Sequence, residues 1–573
     1  MTTSSNGNDQ TPKPQPLTIY AVQDPPPSLL KTIKAALAKE GQEDAYPRNR
    51  NTFWFEQAFQ HLAKAGTNYE LVIPYQLPKN AANQEVPQAL QDIGKQHRIH
   101  WVPVPHEVVE GHVRMDNDGW KAGFHGLEYN APFSKKDYEC SQEFSRLMAR
   151  AVADRVEAGH QATGDIVGVN LQNRYMCLVP GQLNEEMRAR NKRDTYVSTY
   201  FSHIDQTHKI DVFVKTPEIK AVVASLLEAD AVNFHTPQYG DNFRKAVKKL
   251  FPDQVKIDDK NSAITYTRDG ETRTVKTGSH FLGIDVERWQ RHIASDQAWE
   301  HAKEYLDMAN GRQILFAFDR CDPIKALDHR MEIVDKFLDQ NPNQAKNVVL
   351  MQVCYLANDT PREYEDVYRK LFNTTNAHVA RINAKFVNAH GKTALPPAIN
   401  LPKLSEPQIA GLVIAATISG GVNVVSSIAE GLHMGKLESY AANAYLSENN
   451  GARLKELAQK HGVPLNKKSG ALAFWTSTVA GVEHYVKGAF PMHPEKKDSS
   501  ARTLRKAVKA SEVERAFRME KSISFVRTNT SAEWIKSMDR EMRQLRRDKH
   551  RSLATPPRRP PPASAQVAAY TQA

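Results

Sequence analysis

The sequence predicts an α/β protein made of two units, each built on a mostly parallel, doubly wound sheet. Three observations support this class. Short apolar runs alternate with helical patterns along most of the chain, which is the order that a parallel sheet with helical crossovers requires. A turn signal at Asp269-Gly270 marks a hairpin after the first series, and a second alternating series follows it. A chain of 573 residues is also long enough for two large domains and tails.

The predicted strands are short and rich in β-branched and aromatic residues. Those of the first series are LTIYAVQ (17–23), YELVIPY (69–75), IHWVPVP (99–105), GDIVGVN (164–170), DTYVSTYFSHI (194–204) and ADAVNF (229–234). Those of the second series are ILFAF (314–318), NVVLMQVCYL (347–356), GLVIAATI (411–418) and ALAFWTST (471–478). We predict a helix over PSLLKTIKAALAKEG (27–41) and place the boundary between the two units near residue 286.

Two cations follow the first strand of the second series. Asp322 is a good helix N-cap and Pro323 suits the first helical position, so Lys325 should lie in the first turn of a helix that starts there. A cation at that end opposes the helix dipole. Arg320 and Lys325 therefore either pair with Asp319, Asp322 or Asp328, or they bind a phosphate above the carboxyl ends of parallel strands.

The composition indicates a protein of a reducing compartment. Its four cysteines, Cys140, Cys177, Cys321 and Cys354, lack metal-ligand spacing, so we expect neither a disulfide framework nor a zinc site. No apolar run approaches the length of a membrane span and the start lacks a signal-peptide core. We expect a cytoplasmic protein with no metal and no cofactor; export through a specialised secretion system, directed by the polar start, stays an alternative.

The formal charge of +11 is concentrated at the carboxyl end of the chain. Residues 501–573 hold 17 Lys and Arg against 7 Asp and Glu, so residues 1–500 are nearly neutral. The excess lies in a predicted helix and in a Pro/Arg-rich tail, which we expect to be solvated or to contact an acidic partner. Because the body is neutral and shows no aromatic and basic surface motif, nucleic-acid binding is not favoured.

Several segments resemble, in order and spacing, motifs of the trehalose-6-phosphate synthase family of retaining glycosyltransferases, across roughly residues 105–545. The R-x-D-x-x-K motif of the family matches Arg320, Asp322 and Lys325. Other matches are FHTPQYGDNF (234–243), FLGID (281–285), ARINAKF (380–386) and GGVNVV (420–425), the last standing where the family has D-G-M-N-L-V. The resemblance implies the GT-B architecture, in which two Rossmann-like domains face a deep cleft.

On this resemblance we divide the chain into five parts. They are a disordered tail (1–16), an acceptor domain (17–285), a nucleotide-sugar donor domain (286–510), C-terminal helices that dock on the body (511–549) and a disordered Pro/Arg-rich tail (550–573). A capping box at Thr530 and Glu533 begins the last helix, whose apolar stripe is Trp534, Met538, Met542 and Leu545.

The resemblance also implies site residues. Arg320 and Lys325 would neutralise the donor diphosphate, whose charge grows as it departs. The loop after GLVIAATI would supply backbone donors to the same diphosphate, through Gly421, Val422, Asn423, Val424 and Val425. His203, at the end of a predicted strand, would contact the transferred sugar; without the resemblance, a structural histidine is the ordinary interpretation.

The chain departs from the family mainly on the acceptor side. Asp24 and Asn358 stand where the family has arginines near the acceptor phosphate, NLQNR (170–174) replaces H-D-Y-H-L, and Asp205-Gln206-Thr207 replaces a proline-rich stretch. On the donor side, Gly420 replaces the aspartate that meets the sugar. Ile428 falls where a glutamate holds the ribose, with Glu430 two residues away.

Two functional hypotheses follow. The first is a retaining glycosyltransferase that moves a sugar from a nucleotide-sugar, UDP-glucose by family default, to a sugar or sugar-phosphate acceptor. The second is a binding or regulatory protein on the same fold with little or no turnover. The residues leave open the nucleotide base, the sugar, the acceptor, its binding residues and the oligomeric state.

Overall fold

The computed structural model describes residues 15–39, 53–79, 85–127, 134–204, 209–356, 365–390, 395–449, 451–463, 472–477 and 487–554. Its strands form a nine-stranded and a six-stranded sheet. The first sheet contains β1 (Thr18–Ala21), β2 (Tyr69–Gln76), β3 (Ile99–Val104), β4 (Val167–Gln172), β5 (Tyr196–Phe201), β6 (Ala231–Phe234), β7 (Val255–Asp258), β8 (Ala263–Arg268) and β9 (Glu271–Ser279). The second contains β10 (Gln313–Arg320), β11 (Val348–Tyr355), β12 (Ala398–Leu401), β13 (Val422–Val425), β14 (Ala473–Ser477) and β15 (Phe490–Met492).

Helices connect and cover both sheets. Those up to residue 285, which complete the first domain, are α1 (Pro27–Lys39), α2 (Phe53–Lys64), α3 (Gln88–His97), α4 (His106–Arg114), α5 (Lys121–Phe124), α6 (Lys135–Thr163), α7 (Val179–Ala189), α8 (Ile210–Val214), α9 (Ile219–Leu226) and α10 (Pro237–Leu250). Those that follow are α11 (Val286–Ala294), α12 (Asp296–Ala309), α13 (Leu327–Gln340), α14 (Pro342–Ala345), α15 (Glu365–His390), α16 (Glu406–Ile418), α17 (Met434–Asn449), α18 (Gly451–Lys460), α19 (Lys497–Lys509), α20 (Glu512–Thr528) and α21 (Ser531–Ala554).

Both sheets have the doubly wound strand order. The first runs β3-β2-β1-β4-β5-β6-β9 in parallel, and β8 and β7 then follow, each antiparallel to its neighbour. The second runs β12-β11-β10-β13-β14-β15, all parallel. The order reverses between β1 and β4 and again between β10 and β13. Ligands of such sheets bind outside the carboxyl ends of the strands at these switch points. The predicted fold class, two Rossmann-like α/β units, is confirmed.

The apolar strands of the second domain are buried on both faces. Ile314 and Phe316 of β10 belong to one core cluster, whereas Leu315 and Ala317 belong to the cluster on the opposite face. Successive side chains of a strand point to opposite faces, so a central strand with helices on both sides must be apolar throughout. This is why ILFAF was recognisable as a strand.

The last helix returns to the first domain. Trp534, Ile535 and Met538 of α21 pack with Tyr20 and Phe201 of the first sheet, and the apolar stripe predicted for this helix is buried along its length. Thr530 Oγ1 accepts a hydrogen bond from the Glu533 amide at 3.2 Å, which is one of the two bonds of the predicted capping box. The chain therefore leaves the second domain after α20, and α21 completes the core of the first domain.

Two secondary-structure predictions are wrong. GLVIAATI forms the end of α16, because a run that is apolar on every side suits a fully buried helix as well as a central strand. The helix expected from Pro323 begins only at Leu327; residues 323–325 form a single 3-10 turn, and Ala326 adopts a left-handed conformation with φ 48°.

The predicted tails fall largely outside the described residues. At the carboxyl end, α21 continues to Ala554, five residues into the segment predicted as a tail. Pro556, which cannot continue a helix, follows closely. Asn358 and Asp205-Gln206-Thr207 also lie outside the described residues.

Candidate active site

Arg320 and Lys325 lie together at the carboxyl end of β10. Arg320 is the last strand residue, its side chain is 43% exposed, and its guanidinium lies 3.6 Å from the Asp322 carboxylate. Lys325 is only 11% exposed; its Nζ lies 3.5 Å from Asp319 Oδ1 and also forms an ion pair with Glu430. Pairing with Asp319 and Asp322, one of the two interpretations above, is therefore present in the structure.

A buried network of charged side chains surrounds Asp319, the carboxylate beside Lys325. Arg330, which is fully buried, pairs with Asp319 and donates through Nε to Ser426 Oγ at 2.9 Å. His433 Nε2 lies 3.2 Å from the other Asp319 oxygen. Burial alone would raise the pKa of Asp319, but Arg330 and Lys325 hold it well below its usual range. Asp319 is thus a permanent anion at the base of the site.

Lys325 and Glu430 fix each other's charge. Burial would lower the pKa of Lys325, yet Glu430 and then Asp319 raise it. Burial would raise the pKa of Glu430, yet Lys325 and His433 lower it. Ser427 Oγ adds a hydrogen bond of 2.7 Å to the second Glu430 oxygen. Both groups are therefore charged at neutral pH, and any anion that binds Lys325 must compete with Glu430.

The segment 426–433 joins β13 to α17 and lies against the 3-10 turn. Ser426 Oγ donates to the Lys325 carbonyl at 2.8 Å, and the Ile428 amide donates to the Ile324 carbonyl at 2.9 Å. Together with Arg320, this connection occupies the switch point between β10 and β13. A strand, a turn and a helix amino terminus at that place are the usual frame of an anion site in α/β proteins.

The structure does not bring Gly421, Val422, Asn423, Val424 and Val425 to this place. Gly421 precedes β13, at the opposite edge of the sheet from Arg320, and a Cβ there would meet the Ile314 carbonyl oxygen at 2.3 Å. The other four residues are the buried strand β13 itself. The prediction of a glycine turn after a strand is wrong, because the preceding run is a helix and the strand comes next.

The sequence interpretation missed Gly431 and Glu438, and it noted Glu430 only as a residue out of register. With β13 located, EGLHMG (430–435) occupies the turn that the D-G-M-N-L-V segment was expected to provide. Moving the comparison by ten residues places Glu430 at the aspartate and Glu438, eight residues on, at the glutamate. These residues could have been recognised in the sequence by two glutamates eight residues apart, the spacing of the family's aspartate and glutamate, with a glycine directly after the first.

Glu438 lies on the first turns of α17 and its carboxylate accepts a hydrogen bond from the Trp289 indole. Burial is the main cause of its raised pKa, about 7, and nearby Glu406 adds to the effect. Glu406 itself pairs with Arg288 and lies 2.7 Å from His292 Nε2. Glu438 therefore keeps its proton to a higher pH than an exposed glutamate does, and it faces α11 in this structure.

His203 follows β5 and is oriented by a chain of amides. Its Nε2 donates to Gln172 Oε1 at 2.7 Å. Gln172 donates in turn to Asn170, and Asn170 Nδ2 donates to Thr199 Oγ1 at 2.7 Å, which fixes the amide so that its oxygen faces the imidazole. Burial, and then His235, hold the pKa of His203 well below its usual range. The imidazole is neutral, with its proton on Nε2.

Three contacts join the two domains around these residues. The Tyr239 hydroxyl donates to the Glu430 carbonyl at 3.1 Å. Gly431 lies so close to His203 that a Cβ would be 2.0 Å from the His203 carbonyl oxygen. Lys121 Nζ lies 2.9 Å from Asp322 Oδ2 and 3.1 Å from the Tyr368 hydroxyl. His203 and the Lys325 and Glu430 pair therefore belong to one site.

The switch point of the first sheet carries different chemistry. Asp24, after β1, is buried. Arg174, after β4, forms two parallel hydrogen bonds of 2.7 and 2.8 Å with the buried Asp116. Its guanidinium is therefore occupied by this carboxylate, with which a phosphate would have to compete. Among the described residues, no three His, Cys, Asp or Glu side chains are grouped so as to hold a metal ion, and no helix is long and apolar enough to cross a membrane.

Two parallel, doubly wound domains whose strand ends converge on one charged site define a GT-B type glycosyltransferase fold, and the comparisons agree. A family model described as Glycosyltransferase family 20 matches residues 66–544. The chain belongs to this family.

Curated relatives and solved structures resemble the chain at low identity. Alpha,alpha-trehalose-phosphate synthase (UDP-forming) 2 of Aspergillus niger is 24% identical over 417 residues, 72% of this chain and 75% of that relative. A structure described as trehalose-6-phosphate from E. coli bound with UDP-2-fluoro glucose has a TM-score of 0.67 at 14% identity, over 92% of this chain and 99% of that chain. The N-terminal domain of Candida albicans trehalose-6-phosphate phosphatase has a TM-score of 0.68 at 15% identity, over 93% and 98%.

Proposed function

We propose that this chain is a retaining glycosyltransferase that binds a nucleotide-sugar, UDP-glucose by family default, where β10 and β13 end. The observation that carries the proposal is that Glu430, which pairs with Lys325, is followed by Gly431, whose backbone lies against the His203 carbonyl across the domain junction. A cation for the diphosphate, a carboxylate for sugar hydroxyls and a neutral imidazole are then within one site.

Each group has a role that its chemistry suits. Arg320, exposed at the mouth, and Lys325, buried at the base, hold the diphosphate and stabilise the charge that develops on it as the sugar leaves. The leaving diphosphate accepts the proton of the acceptor hydroxyl on the same face, so no separate protein base is needed. His203, a neutral imidazole whose Nε2 donates to Gln172, orients the sugar.

Donor binding requires an exchange of partners. Lys325 is neutralised by Asp319 and Glu430, so the diphosphate takes the place of Glu430 beside the ammonium. Glu430 is then available to accept hydrogen bonds from the sugar, the role of the family's aspartate. Gly431 supports this arrangement, since a larger residue would separate Glu430 from the first domain.

The acceptor is the part of the reaction for which this chain differs most from its relatives. Asp24 is buried where a phosphate-binding arginine was expected, and Arg174 is committed to Asp116. We propose that the acceptor is either an unphosphorylated sugar or a sugar phosphate, the second being the family default. A coupled assay with UDP-glucose and glucose 6-phosphate decides between them: no product above blank rejects the phosphate, and the same assay with unphosphorylated sugars then follows.

A binding or regulatory protein without turnover is the second candidate. The observation that favours it is that Arg320 and Lys325 already have carboxylate neighbours of their own chain. Measurable sugar transfer by the native chain would reject this candidate.

The experiment that tests the donor site is calorimetric titration of UDP, GDP and ADP into the native chain and into Arg320→Ala/Lys325→Ala. A matched control is Arg381→Ala/Lys385→Ala, which removes an exposed Arg and Lys pair of α15 that contacts Asp335. Binding that is lost in the first variant and kept in the control supports the proposal. Absence of binding by the native chain overturns it.

A further inference from the structure

Two buried cysteines lie at the ends of the neighbouring strands β10 and β11, next to Arg320 of the candidate site. Cys321 directly follows Arg320, and Cys354 precedes the last residue of β11. Both side chains are buried, and with Leu327 they form one contact cluster. Neither thiol has a role in the proposed reaction.

The strand register places the two thiols on the same face. Asp319 pairs with Cys354 across the parallel strands, and the Cys321 amide continues the ladder with a hydrogen bond of 2.8 Å to the Tyr355 carbonyl. Cys321 is two residues after Asp319, so its side chain points to the same side. The two cysteines are therefore diagonal neighbours on adjacent strands.

The two cysteines belong to one buried cluster. Cys321 and then Arg330 lower the pKa of Cys354, whereas Cys354 and then burial raise the pKa of Cys321. Cys354 thus has the more thiolate character, which is the form that reacts with oxidants, and Cys321 is in place as the second thiol.

We propose that Cys321 and Cys354 form a reversible disulfide when the chain meets hydrogen peroxide, and that this pair is a redox modification site of the donor domain. The Cys354 thiolate attacks the peroxide oxygen, the O–O bond breaks, and a sulfenic acid and one hydroxide, protonated to water, result. The Cys321 thiol then attacks the sulfenic sulfur, forming the S–S bond and releasing a second water. Two thiols lose two electrons and two protons in total.

The disulfide would act on the donor site through the chain around Cys321. Cys321 separates Arg320 from Asp322, and its Sγ lies 3.6 Å from the Tyr368 carbonyl oxygen. Tyr368 and Asp322 both contact Lys121 of the first domain. Diagonal neighbours lie near the limit for a disulfide, so bonding moves the strand ends. We expect UDP binding to weaken at least tenfold; this consequence rests on the proposed donor site.

Peptide mapping of the full chain tests the modification site without any assumption about nucleotide binding. The native chain is treated with hydrogen peroxide, alkylated and digested without reduction. A peptide pair joining Cys321 to Cys354, two hydrogens lighter than the free peptides and released by dithiothreitol, supports the proposal. Free thiols at both positions, or sulfinic acid at Cys354 without the cross-link, overturn it.

Variants provide the matched controls. Cys140→Ser/Cys177→Ser, which changes the two buried cysteines of the first domain, should keep the cross-link, and Cys321→Ala and Cys354→Ala should each abolish it. UDP titration before and after oxidation then tests the consequence: unchanged affinity overturns regulation, whereas absence of UDP binding in the reduced native chain rejects the proposed function and leaves the mapped cross-link standing.

Discussion

Lys121 Nζ of the first domain lies 2.9 Å from Asp322 Oδ2 of the second. Asp322 is 2% exposed, and it also accepts a hydrogen bond from the Ile324 amide in the turn that carries Lys325. Burial would raise the pKa of Asp322, but Lys121 and then Arg320 hold it well below its usual range. One ion pair therefore fixes the domain junction and the shape of the donor turn together.

Lys121→Met should destabilise the chain by about 2 to 4 kcal/mol, because it leaves Asp322 charged and buried beside fewer cations. Lys121→Met/Asp322→Asn should recover part of this loss, since the orphaned charge is gone. Denaturant unfolding of the four proteins of the cycle measures the coupling. The control Lys135→Met removes an exposed pair with Glu139 and should cost less than about 0.5 kcal/mol. Additive single effects would contradict the coupling.

Glu430→Gln should separate nucleotide binding from sugar transfer. Removing the carboxylate that neutralises Lys325 should strengthen UDP binding about tenfold, which is about 1.4 kcal/mol, because the diphosphate no longer competes with an anion. The rate of sugar transfer should fall, because the hydroxyls of the donor sugar lose the carboxylate that accepts their hydrogen bonds. Calorimetry with UDP and a turnover assay measure the two effects. Glu448→Gln, on the following helix α17 and paired with exposed Arg527, is the control; weaker UDP binding by Glu430→Gln would refute the exchange of partners.

Glu438→Gln should stabilise the chain in a pH-dependent manner. The pKa of Glu438 is raised from 4.5 to about 7 by burial, so the folded state binds a proton that the unfolded state has released between these values. The native chain therefore loses stability as pH rises from about 4.5 to 7. The variant avoids this loss and should exceed the native free energy of unfolding by about 3 kcal/mol at pH 8, with no difference near pH 4. Denaturant unfolding at pH 4, 6 and 8 measures this; a constant difference would contradict it.

Alanine at two glycines should have different effects. Gly421→Ala forces a Cβ to 2.3 Å from the Ile314 carbonyl oxygen within the second sheet, so it should lower stability by several kcal/mol or prevent folding. Gly431→Ala places the clash between the domains instead, so it should lower transfer at least tenfold with a smaller loss of stability. Gly451→Ala, which meets nothing within 4 Å, is the neutral control. Thermal unfolding and a transfer assay on the three variants separate the effects.

The fold was accessible from the sequence because the central strands are buried on both faces and are therefore continuously apolar. The same property hid α16, whose residues Ala410–Ile418 are all buried, since a helix without a polar face has no helical period to detect. Because α16 was taken for a strand, the family's aspartate and glutamate were matched to Gly420 and Ile428, ten residues before Glu430 and Glu438. Arg320, Lys325 and His203 could be proposed because they stand at or shortly after the ends of strong strand patterns, where the family's motifs could be matched.

The missed part of the site depends on contacts between distant segments. Lys121 and Asp322 are 201 residues apart, and the Tyr239 hydroxyl and the Glu430 carbonyl are 191 apart. No local period or cap marks such pairs. Glu430 was noticed only as a residue out of register, and its pairing with Lys325 became visible when both strand ends were placed.

The return of α21 to the first domain sets an order of events during synthesis. Domains of a growing chain ordinarily fold from the amino end as they emerge from the ribosome. Here Tyr20 and Phe201 obtain their packing partner Trp534 only when the last helix has been made. We expect the first domain to remain incompletely folded until α21 has been synthesised. A chain truncated before residue 531 would then lack a packing partner in the first domain, although that domain is synthesised first.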